Sequence, residues 1–182
     1  MVATKLWTVE ELERVGWPEG RWELINGELV EMAPSGGDAS PVGVMFAAKL
    51  LTHVEPRDLG RVYGADGGFV VCPGRELLRV ADAAFVAAGR VPPSAHGFPR
   101  LAPDLVVEVI SPTDSKAEVL ANAWMWLAAG VRLVWVADPD ERTVTVCQPG
   151  HEPRILRASQ TLDGGDVLPE FREPVKAFFP QR

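Results

Sequence analysis

The sequence predicts an α/β domain with a mixed central β-sheet flanked by helices, preceded by an N-terminal helix and a β-hairpin. The order strand, helix, strand between Asp104 and Ala137 predicts a βαβ crossover, which pairs two strands in parallel and is right-handed in nearly all proteins. Three or four short apolar runs precede this unit, and the turn residues between them predict antiparallel strands. A sheet with both kinds of pairing is therefore expected.

The N-terminal helix is predicted by a capping box, in which Thr8 is the N-cap and Glu11 is the third helical residue. This helix is expected to end near Gly16. The hairpin follows, because residues 22–25 and 28–32 are strand-like and flank an Asn-Gly pair, a strong signal for a two-residue hairpin turn.

The next helix is predicted to have Ser40 as its N-cap and Pro41 as its first residue, and to run to about Val54. The segment from Ala88 to Pro103 is rich in proline and has no periodicity, so we expect a long connecting loop there. Between this helix and this loop, short strands are expected at residues 61–65, 69–72 and 78–86.

A buried strand is predicted from Leu105 to Ile110, because a nearly continuous apolar run is typical of a strand covered on both faces. A helix is expected from about Ser115 to Ala129, with Gly130 just after its end. The remaining expected elements are strands at residues 133–137, 143–147 and 154–157 and a last helical turn near 175–179.

Length and composition predict one globular domain over residues 1–182, since 47% of the residues are hydrophobic and 24% are charged. No apolar run approaches the roughly 20 residues of a bilayer span, and no secretory signal is expected at the N-terminus. Cys72 and Cys147 lie in separate strand-like runs, which predicts buried thiols rather than a disulfide framework. We therefore expect a cytoplasmic protein that does not contact membranes.

The formal net charge of −7 argues against a protein that simply coats nucleic acid. Non-specific DNA affinity depends on lysines and arginines that neutralise phosphates, and the 18 basic residues form no visible run. The acidity counts less against an enzyme, because a metal site itself needs carboxylates.

Two carboxylates in apolar segments are the candidate site residues. Glu108 interrupts the aliphatic run of its strand, and Asp82 lies among small and apolar residues. A buried, unpaired charge is costly, so each acid must be paired with a cation, protonated or bound to a metal. Acids on adjacent strands that face one side would suit Mg²⁺ or Mn²⁺. The structural alternative is that each acid pairs with an arginine, such as Arg79 or Arg132.

Four segments of the chain carry motifs that resemble, in sequence and in order, those of the Uma family of putative restriction endonucleases. This family is part of the PD-(D/E)XK nuclease superfamily. These segments are residues 22–30 (WELINGELV), 81–86 (ADAAFV), 102–112 (APDLVVEVISP) and 127–136 (LAAGVRLVWV). The resemblance extends from about Thr8 to Phe179, nearly the whole chain.

The resemblance implies a restriction endonuclease-like fold and a metal-dependent endonuclease activity. The two acids of the family pattern fall on Asp82 and Glu108, which would bind the catalytic Mg²⁺ or Mn²⁺ with the main-chain carbonyl of Val109 as a third ligand. A water activated by that cation would attack a phosphodiester bond of DNA. Cleavage of both strands would suit two-fold symmetry, so a homodimer is expected.

The chain departs from the family pattern at the catalytic lysine, whose position falls on Asn122. Ile110 stands where the wider superfamily has a lysine, and Trp126 stands where the family has a tyrosine. Asn122 can donate a hydrogen bond but supplies no positive charge. In the structural alternative, the Asn122 amide only fixes the packing of its helix.

Other polar residues are weaker candidates. Lys116 is expected to be solvated, and Asp104 either contacts the site or simply ends the preceding loop. Glu23 and Glu28 flank the hairpin turn and recur in the family pattern. One of them could reach the metal, but both are expected to face solvent. The three histidines have no ligand spacing, so zinc is not expected.

Two functions are compatible with these features. The leading prediction is a divalent-metal-dependent endonuclease, with Asp82 and Glu108 as metal ligands and Asn122 in the lysine position. The alternative is a nuclease-fold protein with impaired chemistry that acts as a binding or interaction module. The retained acids favour the enzyme, whereas the net acidity and the missing lysine favour the module.

Overall fold

The computed structural model describes residues 5–33, 36–72, 77–93, 97–112 and 114–180. Its helices are α1 (Val9–Val15), α2 (Ala39–Val54) and α3 (Lys116–Ala128). Its strands are β1 (Trp22–Ile25), β2 (Glu28–Glu31), β3 (Gly60–Gly64), β4 (Gly68–Cys72), β5 (Leu77–Val80), β6 (Ala83–Ala87), β7 (Leu105–Val109), β8 (Leu133–Asp138), β9 (Thr143–Cys147), β10 (Arg154–Leu156), β11 (Thr161–Asp163) and β12 (Arg172–Pro174). Short 3₁₀ turns lie at Glu55–Arg57, Ala88–Arg90 and Val175–Phe178.

Most strands belong to two sheets. The small sheet has the order β2-β1-β5-β4 and is antiparallel, and the large sheet has the order β10-β9-β8-β7-β6-β3. In the large sheet β7 and β8 are parallel and are connected by α3, while the other neighbouring strands are antiparallel. The predicted mixed sheet with a βαβ crossover is confirmed.

Helices α2 and α3 pack on opposite faces of the large sheet. Successive residues of β7 contribute to two separate apolar clusters, so that Val107 belongs to the cluster of Phe46 in α2 and Val106 to the cluster of Trp126 in α3. Because side chains alternate between the two faces of a strand, Glu108 is on the α3 side.

The N-terminal predictions are confirmed. Thr8 and Glu11 form both hydrogen bonds of the capping box at the start of α1. Asn26 and Gly27 have φ angles of 52° and 85°, the left-handed conformation that a two-residue hairpin turn requires. The strands on either side of this turn, β1 and β2, pair as an antiparallel hairpin.

The predicted start of the second helix is wrong by two residues. Helix α2 begins at Ala39, with Asp38 as its N-cap. Pro41 is therefore the third helical residue, where its missing N–H costs no intrahelical bond, because the first four N–H groups of a helix have no partner within it.

The single strand predicted at residues 78–86 is also wrong. It is divided into β5 and β6, which belong to different sheets, and Asp82 lies in the bend between them. Aspartate is a poor strand former, which is consistent with a break at this position. The strand at Arg154–Leu156 is followed by β11 and β12, two three-residue strands too short to give a periodic pattern.

Cys147 is buried, as predicted, and burial raises the pKa of its thiol. The side chain of Cys72 lies outside the described residues. In the ranges that the structure describes, no helix combines the length and the apolar character needed to cross a bilayer.

Helix α3 begins with a second capping box, in which Ser115 and Glu118 accept hydrogen bonds from each other's backbone N–H groups. Replacing Ser115 by alanine is expected to lower the free energy of unfolding by about 1 kcal/mol, because the N–H of Glu118 loses its acceptor. Urea denaturation measures this change. The matched control is Ser159→Ala at an exposed position, and equal effects of the two substitutions would contradict the capping role.

Candidate functional site

A cavity of about 340 Å³ lies where the small sheet, the bend after β5, the end of β7 and helix α3 meet. The small sheet contributes Glu23 and Arg79, and the bend contributes Asp82. Glu108 lines the cavity from β7 and Asn122 lines it from α3. The structure thus brings the predicted acids and the predicted amide to one place.

Asp82 is held by the backbone of the neighbouring strand β7. Its N–H donates to the carbonyl oxygen of Val107 at 3.1 Å, and its carboxylate accepts from the N–H of Val109 at 2.7 Å. Burial raises the pKa of Asp82, although the hydrogen bond from Val109 acts in the opposite direction. The Asp82 carboxylate therefore has a fixed position despite lying in a bend.

Glu108 is a partly buried carboxylate near the C-terminal end of β7. The indole Nε1 of Trp126, on α3, donates a hydrogen bond to its Oε1. Burial raises the pKa of Glu108 to about 8, and the neighbouring negative charge of Asp82 acts in the same direction. The two acids are therefore close enough to oppose each other's ionisation.

The arginines of the structural alternative pair with other acids. Arg79 Nε donates to Glu23 Oε1 at 2.8 Å, and Arg132 lies 3.6 Å from Asp104. Across the described ranges, no salt bridge involves Asp82 or Glu108. Two neighbouring carboxylates without a pairing cation form an arrangement that a divalent ion stabilises.

The chemistry of this donor set fits a hard divalent cation that keeps part of its water shell. Asp82, Glu108 and Val109 line the same cavity, and carboxylate and carbonyl oxygens suit Mg²⁺ or Mn²⁺. The described residues contain no group of three or more His, Cys, Asp and Glu side chains arranged to hold a metal. Water or a substrate oxygen would therefore have to complete the coordination.

Helix α3 places Asn122 and Trp126 one turn apart, on neighbouring positions of its surface. Trp126 binds Glu108, and Asn122 lines the cavity. Lys116, at the start of this helix, does not reach the site, because its ammonium lies 2.7 Å from Asp138 and also pairs with Glu141. The hydrogen bonds to these two acids raise the pKa of Lys116 to about 12.

Glu23 and Arg79 are named in the sequence analysis, but their pairing with each other at the site is not predicted there. The prediction that Glu23 faces solvent is wrong, since Glu23 is 7% exposed and Arg79 is 5% exposed, whereas Glu28 is exposed as predicted. The register of β1 and β5 pairs Leu24 with Leu78, which brings Glu23 opposite Arg79. Arg79 interrupts an apolar run as Glu108 does, so this signal was present in the sequence.

Asp104 belongs to the structural framework and not to the cavity. It is 1% exposed and precedes the N-terminal end of β7, whereas Glu108 lies near the other end. Its carboxylate accepts the N–H of Ala87 at 2.9 Å and pairs with Arg90 at 2.6 Å. The possibility that Asp104 contacts the site is therefore wrong.

Comparison with known proteins identifies the fold and the family. No curated protein matches this chain. A solved structure described as a putative nuclease belonging to DUF820 from Anabaena variabilis ATCC 29413 is similar with a TM-score of 0.79 and 23% identity, over 94% of this chain and 97% of that chain. This similarity supports the predicted restriction endonuclease-like fold. The model of the Uma2 family, described as "Putative restriction endonuclease", matches residues 9–176, and the chain therefore belongs to the Uma2 family.

Proposed function

We propose that this protein is a divalent-metal-dependent endonuclease that hydrolyses phosphodiester bonds of DNA. The observation that carries the proposal is the pair of neighbouring carboxylates, Asp82 and Glu108, which line one cavity and form no salt bridge with any described residue. Membership of the Uma2 family supports the same activity.

In this proposal Asp82, Glu108 and the carbonyl of Val109 hold Mg²⁺ or Mn²⁺. When bound, the cation lowers the pKa of a water molecule and offsets negative charge in the transition state. The N–H of Val109 orients the Asp82 carboxylate and the indole of Trp126 orients Glu108, so both acids are positioned before the ion arrives. Asn122 donates an amide hydrogen bond to a phosphate oxygen or to the attacking water.

Binding of Mn²⁺ is expected to release about one proton at pH 7, because a metal ligand must be ionised. The pKa of Glu108 is about 8, so the metal-free protein keeps that proton at pH 7 and the affinity for Mn²⁺ falls as the pH drops below about 8. Calorimetric titrations in two buffers with different ionisation enthalpies give the number of protons released.

The matched control is Glu108→Gln, because an amide keeps the size of the side chain and an acceptor for Trp126 but has no proton to release. We expect Mn²⁺ binding to be lost in this variant. Binding without proton release in the wild type, or unchanged binding in Glu108→Gln, would contradict the role of Glu108 as a ligand.

A second function is favoured by one observation: no lysine lines the cavity among the described residues. The sequence resemblance implies that the family lysine would fall on Asn122. A binding module with impaired chemistry is expected to bind Mn²⁺ and DNA without cleavage. Incubation of supercoiled plasmid DNA with the protein and Mn²⁺ distinguishes the two functions, because nicking requires an active nuclease.

A homodimer is part of the proposal, since two copies would present one site to each strand of a duplex. The described surface of α2 carries exposed apolar side chains, with Val44 64% and Leu51 46% exposed. Light scattering at micromolar concentration tests this assembly, and a monomeric mass would contradict it.

A further inference from the structure

A buried arginine with unused donors lies beside the candidate metal ligands. Arg79 is 5% exposed. Its Nε donates to Glu23 at 2.8 Å and its Nη1 donates to the sulfur of Met125 at 3.0 Å, while its Nη2 donates to no acceptor among the described residues. A thioether sulfur is a weak acceptor, so most N–H groups of this guanidinium lack a strong partner.

The ion pair with Glu23 involves only the Nε–H group of the Arg79 guanidinium. The same Glu23 oxygen also accepts the N–H of Val80 at 2.9 Å, which fixes the carboxylate against β5. The rest of the guanidinium lines the cavity that Glu108 and Asp82 share. Arg79 Nη2 is not among the buried donors without a partner in the described residues, so it is open to the solvent of the cavity. A ligand that brings acceptor oxygens into the cavity can therefore reach it.

Two adjacent residues of helix α3 contact Arg79 and Glu108. Met125 contacts the guanidinium, and the next residue, Trp126, binds Glu108. Asn122 precedes both by about one turn and lines the same cavity. An anion bound next to a cation at Glu108 would therefore lie beside Arg79 as well.

The shape and charge of a guanidinium select the class of anion. Its planar fork of N–H groups matches the paired oxygens of a phosphate, and its charge is retained when it is buried. A phosphodiester has two non-bridging oxygens, of which one can approach the cation while the other meets Arg79. Six carboxylates line the cavity against two arginines, and one of these, Arg21, already pairs with Asp66. An anion there therefore needs Arg79 and a bound cation together.

We propose that Arg79 binds a non-bridging oxygen of the scissile phosphodiester, as a phosphate-binding residue beside the metal site. This inference rests on the proposed function, because the cation held by Asp82 and Glu108 is the second positive group. The competing role is purely structural, in which the pair of Arg79 and Glu23 only joins β1 to β5.

The test uses the full chain saturated with Mn²⁺ and dimethyl phosphate as the probe. Bound Mn²⁺ accelerates the ³¹P relaxation of a phosphate in contact with it, so a titration gives the dissociation constant. Arg79→Lys keeps a positive charge next to Glu23 but loses the fork, and we expect dimethyl phosphate to bind about tenfold more weakly or worse.

The matched variant is Glu23→Gln, whose effect should have the opposite sign. Its amide oxygen still accepts from Arg79 and Val80, but the negative charge that competes for the guanidinium is gone, so the probe should bind more tightly. A purely structural pair predicts lower stability and unchanged probe affinity in Arg79→Lys, and a gain in Glu23→Gln no larger than that in Glu31→Gln, at another carboxylate of the cavity wall. Because the expected changes are opposite, Glu23→Gln tests the inference even where Arg79→Lys folds poorly.

Mn²⁺ affinity, measured by calorimetry on the same samples, distinguishes failure of the Arg79 role from failure of the proposed metal-dependent function. We expect both variants to retain Mn²⁺ binding, with a somewhat lower affinity in Glu23→Gln because a negative charge near Glu108 is lost. Unchanged dimethyl phosphate affinity in Arg79→Lys and a gain in Glu23→Gln no larger than that in Glu31→Gln, with intact Mn²⁺ binding, would overturn the role of Arg79 alone. Absence of Mn²⁺ binding in the wild type would overturn the proposed function and this inference with it.

Discussion

Replacing Glu108 by glutamine is expected to stabilise the metal-free protein at pH 9 and to remove its stabilisation by Mn²⁺. The pKa of Glu108 is about 8 in the folded protein, against an ordinary value of 4.5. Folding therefore favours the protonated acid, so stability falls as the pH rises from about 4.5 to about 8 and stays low above that. A neutral amide avoids this loss, which amounts to roughly 3 to 5 kcal/mol at pH 9.

Urea denaturation at pH 5 and pH 9, with and without Mn²⁺, measures both effects. We expect the wild type and Glu108→Gln to be similar at pH 5, the variant to be more stable at pH 9, and only the wild type to gain stability from Mn²⁺. Glu28→Gln, at an exposed carboxylate, is the control and should show neither effect. A loss of stability in Glu108→Gln at pH 9 would mean that the carboxylate is a structural partner and not a metal ligand.

Asp82→Asn is expected to reduce the nicking of supercoiled plasmid DNA in Mn²⁺ by about a thousandfold, equivalent to about 4 kcal/mol of transition-state stabilisation. The asparagine oxygen can still accept the N–H of Val109, so the bend keeps its hydrogen bond, but the charge that binds the cation is lost. Initial rates of nicking measure the effect.

The control for Asp82→Asn is Asp66→Asn. The Asp66 side chain is 93% exposed and lies 3.4 Å from Arg21, so its loss should leave the nicking rate close to that of the wild type. Retention of more than a tenth of the wild-type rate in Asp82→Asn would argue against a catalytic role for this carboxylate.

The parts of the site and fold that can be predicted from the sequence are those signalled by residues close together along the chain. Glu108 stands out because it interrupts an aliphatic run, and Asn122 because it lies on the apolar stripe of its helix. The capping box of α1 and the Asn-Gly turn are also local, since their partners are within three residues along the chain. The predicted capping box and hairpin turn are confirmed because short-range chemistry determines them.

The parts that could not be predicted depend on distant partners. The division of residues 78–86 between two sheets follows from which strands β5 and β6 pair with, and nothing within the segment specifies those partners. The burial of Glu23 follows from its position opposite Arg79, a residue 56 positions away in the chain. The hydrogen bond from Trp126 to Glu108 likewise requires the packing of α3 on the large sheet.

The central claim is that Asp82 and Glu108 jointly hold a divalent cation, and anomalous diffraction from crystals grown with Mn²⁺ tests it most directly. We expect one anomalous peak about 2.1 Å from a carboxylate oxygen of each residue in the wild type, and no such peak in Glu108→Gln. A peak elsewhere, a peak that persists in the variant, or no peak at saturating Mn²⁺ would contradict the metal assignment.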